Sequence, residues 1–96
     1  MKKYEVIYSN KFKKSLKKVL KQGKDFNKLD KIVEKLANKR PLDFKNLDHH
    51  LYNDKIYKNC RECHIEPDWL LIYKYLEDDI VLLLVTTGSH SEVLDK

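Results

Sequence analysis

Cys63-His64-Ile65-Glu66-Pro67-Asp68-Trp69 puts an imidazole on one arm of a turn and a carboxylate at its tip. Proline biases Glu66 toward extended backbone, and Pro67-Asp68 suits the two central positions of a type I turn. Beyond it, Trp69-Leu70-Leu71-Ile72-Tyr73 has the aromatic and branched composition of a strand. A hairpin folded there brings His64 and Asp68 close although four positions separate them. The plainer reading is that Asp68 only forms the turn and His64 sits on a solvated strand face.

Cys60-Arg61-Glu62-Cys63-His64 has the spacing of a c-type haem attachment sequence. Against that, Met1 is the one methionine, and no apolar export segment follows Lys2-Lys3. A redox pair belongs at a helix N-terminus, where the dipole acidifies a thiol. Here the pair falls in a predicted strand, three positions apart and so on opposite faces. Zinc bound by Cys60 and Cys63 with His49, His50 or His90 is the remaining metal reading. The cysteines are read as packing residues, and neither a metal nor a cofactor is expected.

The histidines carry more information. All four follow residue 48, at His49, His50, His64 and His90, and Gly88 allows a sharp exit from the strand before His90. If the loop holding His49 and His50 folds over the sheet, three imidazoles and Asp68 converge on one cleft. That set suits metal-free cleavage of a phosphodiester whose own 2′-OH is the nucleophile. Histidine serves as base or acid near neutral pH because its free pKa is about 6.5. A carboxylate such as Asp68 fixes the imidazole tautomer, and Arg61, on the same strand as His64, is expected to bind phosphate oxygens.

Those groups need a scaffold. Tyr4-Glu5-Val6-Ile7-Tyr8 reads as a first strand, and Ser9 or Asn10 caps a helix. Phe12, Leu16, Val19 and Leu20 form the buried stripe of that helix, which Gly23 stops. Asp25 caps a second helix running to about Asn38, with Phe26, Leu29, Ile32, Val33 and Leu36 as its stripe. The short link makes the pair an antiparallel hairpin, and neither helix is stable without a sheet beneath it. Residues 41–54 read as irregular, anchored by Leu42, Phe44, Leu47 and Leu51, with a turn at Asn53-Asp54. Strands are expected over Ile56 to Ile65 and Trp69 to Leu76. Glu77-Asp78-Asp79 forms a polar turn, and Ile80 to Val85, apolar on both faces, belongs mid-sheet. The fold class is α+β, ordered β-α-α-β-β-β: a two-helix hairpin packed on a small, mainly antiparallel sheet.

Residues 1–96 fit one domain with a single modest core. At 42% apolar and 36% charged residues the chain reads as globular, and no apolar run approaches the ~20 residues of a membrane span. A cytoplasmic location, without membrane association, is expected. The net charge of +5 is unevenly spread. Residues 1–40 hold 14 Lys and Arg against 4 Asp and Glu, whereas residues 41–96 hold 6 against 11. Lys13, Lys14, Lys17, Lys18 and Lys21 crowd the first helix, which favours a polyanionic partner. The plainer reading is a solvated lysine face.

The chain resembles the YafQ-like branch of the RelE/ParE superfamily, the toxins of bacterial type II toxin–antitoxin pairs. The resemblance runs through Ile7-Tyr8-Ser9, Lys24-Asp25-Phe26-Asn27-Lys28-Leu29 and Asp48-His49-His50-Leu51. It continues through Arg61 to Lys74 and ends on Thr87-Gly88-Ser89-His90, with HIEPDWLLIYK and T-G-S-H as the specific parts. It implies a RelE-like fold and ribosome-dependent, metal-independent mRNA cleavage, leaving a 2′,3′-cyclic phosphate and a 5′-hydroxyl. The matching catalytic positions are His49, His64, Asp68 and His90. His90 is then the general acid, and the other three position and deprotonate the 2′-OH. Arg61 and the five lysines would bind RNA phosphates. The implied partners are a cognate antitoxin, a ribosome with mRNA in its decoding site and, with the antitoxin, a hetero-oligomer able to bind operator DNA. The alternative is a ParE-like toxin that binds and poisons gyrase without cutting RNA. Three departures stand out: about two extra residues between Leu51 and His64, His50 in place of proline, and Leu94 where a base-stacking aromatic is common.

Overall fold

The structure, a computed structural model, describes residues 3–51 and 55–94. β1 (Glu5–Tyr8) leads into α1 (Asn10–Lys21) and α2 (Phe26–Ala37). A 3₁₀ turn (Phe44–Asn46) precedes β2 (His49–His50), then come β3 (Arg61–Glu66) and β4 (Trp69–Leu76). A second 3₁₀ turn (Glu77–Asp79) precedes β5 (Val81–Gly88) and α3 (His90–Leu94). One five-stranded sheet results, in the order β1-β5-β4-β3-β2. β1 runs parallel to β5 and the other pairs are antiparallel, so the α+β, mainly antiparallel expectation holds.

Local chemistry sets the helix starts. The Ser9 hydroxyl accepts from the Phe12 N–H at 3.0 Å and donates to the Val85 carbonyl at 2.7 Å, which caps α1 and ties it to β5. Asp25 caps α2 by accepting from the Asn27 N–H at 2.9 Å. Both helices cover one face of the sheet. Phe12, Val19, Leu29, Ile32, Val33 and Leu36 meet Cys63, Trp69, Leu71, Tyr73, Leu82 and Leu84 in the main core. Each such side chain contributes roughly 1.5–3 kcal/mol by burial. Leu20 and Phe26, at the ends of their expected stripes, are instead largely exposed, because each lies at its helix's end, beyond the sheet's cover.

The other face carries a smaller cluster of Tyr57, Cys60, Leu70, Ile72 and Val93, with α3 lying on it. The strand expected from Ile56 begins only at Arg61. Asn59 takes a left-handed φ of 62°, and buried Tyr57 donates its hydroxyl to the Val93 carbonyl at 2.7 Å. That bend serves the smaller core and leaves no extended run. The last strand begins one residue late, because Ile80 is left-handed at φ 53°. It lies between β1 and β4, the interior position expected of a strand apolar on both faces. Phe44 and Leu47, expected as anchors, are exposed at 96% and 53%, while Leu42 and Leu51 pack as expected. The turn expected at Asn53-Asp54 lies outside the described residues.

Candidate active site

Three segments distant in sequence supply the imidazoles. β2 pairs with β3 so that His49 stands opposite Glu62 and His50 opposite Arg61. Paired residues share a face, and alternation puts His64 on the same face as Glu62. His49 is therefore the member of the doublet that joins His64. The connection is through Glu62, a buried carboxylate at 4% exposure. Its Oε2 lies 3.2 Å from His49 Nε2 and its Oε1 3.6 Å from His64 Nε2. His49 Nδ1 lies 2.7 Å from the Leu47 carbonyl. Both ring nitrogens of His49 thus face oxygen atoms, one of the backbone and one of Glu62.

His90 arrives from the other side. β5 ends at Gly88, where φ is +152° and a Cβ would fall 3.1 Å from Glu92 Oε1. The Ser89 N–H donates to Glu92 Oε1 at 2.9 Å, and the Glu92 N–H donates to Ser89 Oγ at 3.2 Å. This reciprocal box starts α3 at His90. Lys18 adds an ion pair to Glu92 at 2.7 Å. That lysine, followed by the Ser89 N–H, pulls the Glu92 carboxyl down to about 2. Asp68 Oδ1 then accepts from the His90 N–H at 2.9 Å and faces His90 Nδ1 at 2.6 Å. Those two hydrogen bonds hold the Asp68 carboxyl below its usual range. The Nδ1–H tautomer is fixed, and Nε2 is left to exchange a proton with a substrate. The rings of His64 and His90 meet edge to face with centroids 5.2 Å apart.

The hairpin expectation is refined by this arrangement: the Asp68 carboxylate is directed at His90, which in turn lies against His64. Both histidines line a cleft of about 610 Å³ together with Leu47, Asn46, Lys45 and Lys28. Arg61 sits elsewhere. Three positions from His64, it falls on the opposite face, where its Nε donates to Asp48 Oδ1 and to the Tyr73 hydroxyl, each at 3.3 Å. Tyr73 itself donates to Asp48. The trio ties the residue before His49 onto β3 and β4, and is not placed to clamp a phosphate beside the imidazoles. Lys13, Lys14, Lys17, Lys18 and Lys21 are exposed on α1, whose buried side packs on the sheet face opposite the imidazoles. Of these, Lys18 is engaged by Glu92.

Glu62, Asn46 and Asp48 are functional candidates that the sequence reading passed over. Asn46, buried, donates its amide to the His64 carbonyl at 2.7 Å and pins the 3₁₀ turn to β3. Cys60 and Cys63 belong to the two separate cores on opposite faces, so they share no ion, and burial pushes the Cys63 thiol up, away from thiolate chemistry. A different trio could hold a metal: ligand atoms of Glu62, His64 and His90 lie within 4.8 Å of one another. Two imidazoles and a carboxylate suit zinc or copper. Among the described residues no helix is long and apolar enough to cross a membrane.

Residues 4–95 match the family described as bacterial toxin of type II toxin–antitoxin system, YafQ. The chain is 39% identical over 88 residues to the mRNA interferase toxin YafQ of Escherichia coli (strain B / BL21-DE3), with 91% of each chain covered. Its fold is similar to that of a metal-bound toxin from Helicobacter pylori, at TM-score 0.87 and 42% identity over 94% of this chain and 98% of that one. It is likewise similar to the toxin of the E. coli DinJ-YafQ toxin–antitoxin complex, at TM-score 0.81 and 37% identity over 95% and 97% of the two chains.

Proposed function

This chain belongs to the YafQ family of toxins of bacterial type II toxin–antitoxin systems, and from that premise we propose that it cleaves mRNA on the translating ribosome by acid–base attack of a 2′-OH on the adjacent phosphate. Its curated relatives are mRNA interferases, and the chain is an endoribonuclease of that class. The observation that carries the mechanism is the convergence of His49, Glu62 and His64 with the Asp68–His90 pair.

The 2′-OH gives its proton to His64 as its oxygen bonds to phosphorus. Glu62 faces the imidazolium that forms, and His49 holds Glu62 in place. The P–O5′ bond breaks as His90 passes its Nε2 proton to the departing oxygen, with Asp68 holding Nδ1–H throughout. A 2′,3′-cyclic phosphate and a 5′-hydroxyl result. The 5.2 Å between the His64 and His90 rings suits a base and an acid working at the two ends of one phosphate. The protonated imidazoles, with Lys45 along the same cleft, offset the charge that builds on the phosphate. Asp48, Arg61 and Tyr73 position His49. No step calls for a metal.

The exposed lysines of α1 supply the sequence-independent grip on ribosomal RNA. A cognate antitoxin binds the chain and blocks the site, a pairing supported by the E. coli DinJ-YafQ toxin–antitoxin complex, and the resulting hetero-oligomer binds operator DNA. The chain acts in the cytoplasm, where its target is.

Primer extension on a reporter mRNA in a bacterial translation extract tests the reading, comparing wild type with His90→Gln, with and without ribosomes. Codon-phased breaks should require ribosomes and fall by roughly 10²-fold or more in the variant. Breaks in free RNA would move the target off the ribosome. No breaks from folded wild-type protein would favour gyrase binding instead.

A further inference from the structure

Phe44 is 96% exposed, at the head of the 3₁₀ turn that precedes His49, and Leu47 at the end of that turn is 53% exposed. Neither stands in a loose loop. The Asn46 N–H donates to the Asp43 carbonyl at 2.9 Å and the Leu47 N–H to the Phe44 carbonyl at 3.2 Å. Asn46 is tied to His64 and the Leu47 carbonyl to His49. The turn is thus tied to the active site at its C-terminal end, and it presents its apolar side chains to solvent.

Pro41, Leu42, Phe44 and Leu47 wall a second cleft, of about 460 Å³, that ends at His49. Leu47 separates it from the cleft of His64 and His90. Among the described residues lining the two clefts, Phe44 is the one aromatic besides the imidazoles. The charged groups of the second cleft, Asp43 and Asp48, are engaged by Lys35 and by Arg61 with Tyr73. No lysine or arginine lines it. An aromatic face with apolar walls and no cation does not suit a phosphate. It suits the flat face of an unpaired base, which stacks on aromatics regardless of its hydrogen-bonding edge.

We propose that Phe44, backed by Leu47, is the stacking platform for an unpaired mRNA base next to the scissile phosphate. The proposal rests on the ribosome-dependent nuclease reading above. A strand whose scissile phosphate lies among His49, His64 and His90 passes a flanking nucleotide over Leu47 into the second cleft. The turn holds the Phe44 backbone in place, so stacking costs the protein only the ordering of one side chain.

The test is single-turnover cleavage on mRNA-programmed ribosomes by wild type, Phe44→Ala, Phe44→Trp and His90→Gln. A second readout is the fluorescence of 2-aminopurine placed beside the cleavage site, with His90→Gln as background so that the RNA stays intact. Phe44→Ala should lower cleavage roughly 5- to 160-fold, the worth of one base stack. Phe44→Trp should restore it, and 2-aminopurine quenching should vanish only with alanine. Melting temperature should be unchanged, since the ring is exposed. Wild-type cleavage by Phe44→Ala while His90→Gln is inactive would overturn the platform and spare the nuclease reading. Unchanged cleavage with lost antitoxin binding would reassign the patch to the antitoxin and overturn the proposal. Loss in both alanine and tryptophan variants would do the same, since it would rule out stacking. A wild-type protein that cuts nothing would overturn the nuclease reading and the platform with it.

Discussion

Glu62→Gln separates a chemical role for the buried carboxylate from a structural one. Glutamine keeps the volume and a hydrogen-bonding end, so packing on β3 is preserved while the charge is lost. The carboxylate lies 3.2 Å from His49 Nε2 and 3.6 Å from His64 Nε2. A unit charge at either distance interacts by ~5 kcal/mol at an effective dielectric constant of about 20. Solvent around the half-exposed His49 ring cuts its share to about 1 kcal/mol or less. At His64 only part of a proton has moved in the transition state, so the surviving stabilisation is of order 2 kcal/mol, or ~30-fold in rate. Folding should respond little: glutamine keeps a hydrogen-bonding end and escapes the cost of desolvating a buried charge, which offsets the lost attraction to the imidazoles, so the variant should melt near the wild-type temperature. The assay is single-turnover cleavage on programmed ribosomes, paired with a calorimetric melt. A variant that cleaves at the wild-type rate would refute the reasoning. So would one whose loss of activity merely follows a loss of folded protein.

Three further outcomes are expected. Asp68→Asn should slow the same cleavage roughly 10-fold, less than His90→Gln, since it loosens the proton donor without removing it; combining the two should cost nothing beyond the His90 change. Copper(II) added at stoichiometry should inhibit, and a chelator should restore activity, because a metal on Glu62, His64 and His90 takes the lone pairs that move protons; stimulation by the metal would contradict the proposed mechanism. Tyr73→Phe should lower stability by ~1–2 kcal/mol, or roughly 5–10 °C, by removing the hydroxyl that holds Asp48. Burial and then Asp48 raise the Tyr73 pKa above the ordinary phenol value of about 10. Its contribution is therefore complete below pH ~10 and fades above it, so the gap between variant and wild type should close in alkaline melts.

The helices were legible because their apolar residues recur at helical spacing behind side chains that cap. β4 and the interior strand β5 were legible because their residues suit little else. β2 and α3 span two and five residues, too few for any periodicity, and only pairing with β3 and docking on the smaller core define them. The four residues His49, His64, Asp68 and His90 could be named from residue type and resemblance, but their pairing could not. Alternation was nevertheless present in the sequence: Glu62 is two positions from His64 and shares its face, whereas Arg61 is three positions away and does not. The C-x-x-C-H spacing drew attention past it. Phe44 and Leu47 were misjudged for a different reason. An irregular segment has no period, so apolar character alone does not say which way a side chain points.

The order of assembly has a consequence for the cell that makes this protein. β5, formed by residues 81–88, is the strand between β1 and β4, and residues 5–8 have their parallel partner only when residues 81–84 are in place. His90, the proposed proton donor, comes later still. A growing chain that has exposed only its first eighty residues has lysine-rich helices but neither a closed sheet nor the acid–base pair. Under the mechanism proposed above, such a chain cannot yet cleave RNA. Activity switches on in one step, after the segment holding β5 and His90 has emerged and folded. An antitoxin therefore has until that moment to arrive.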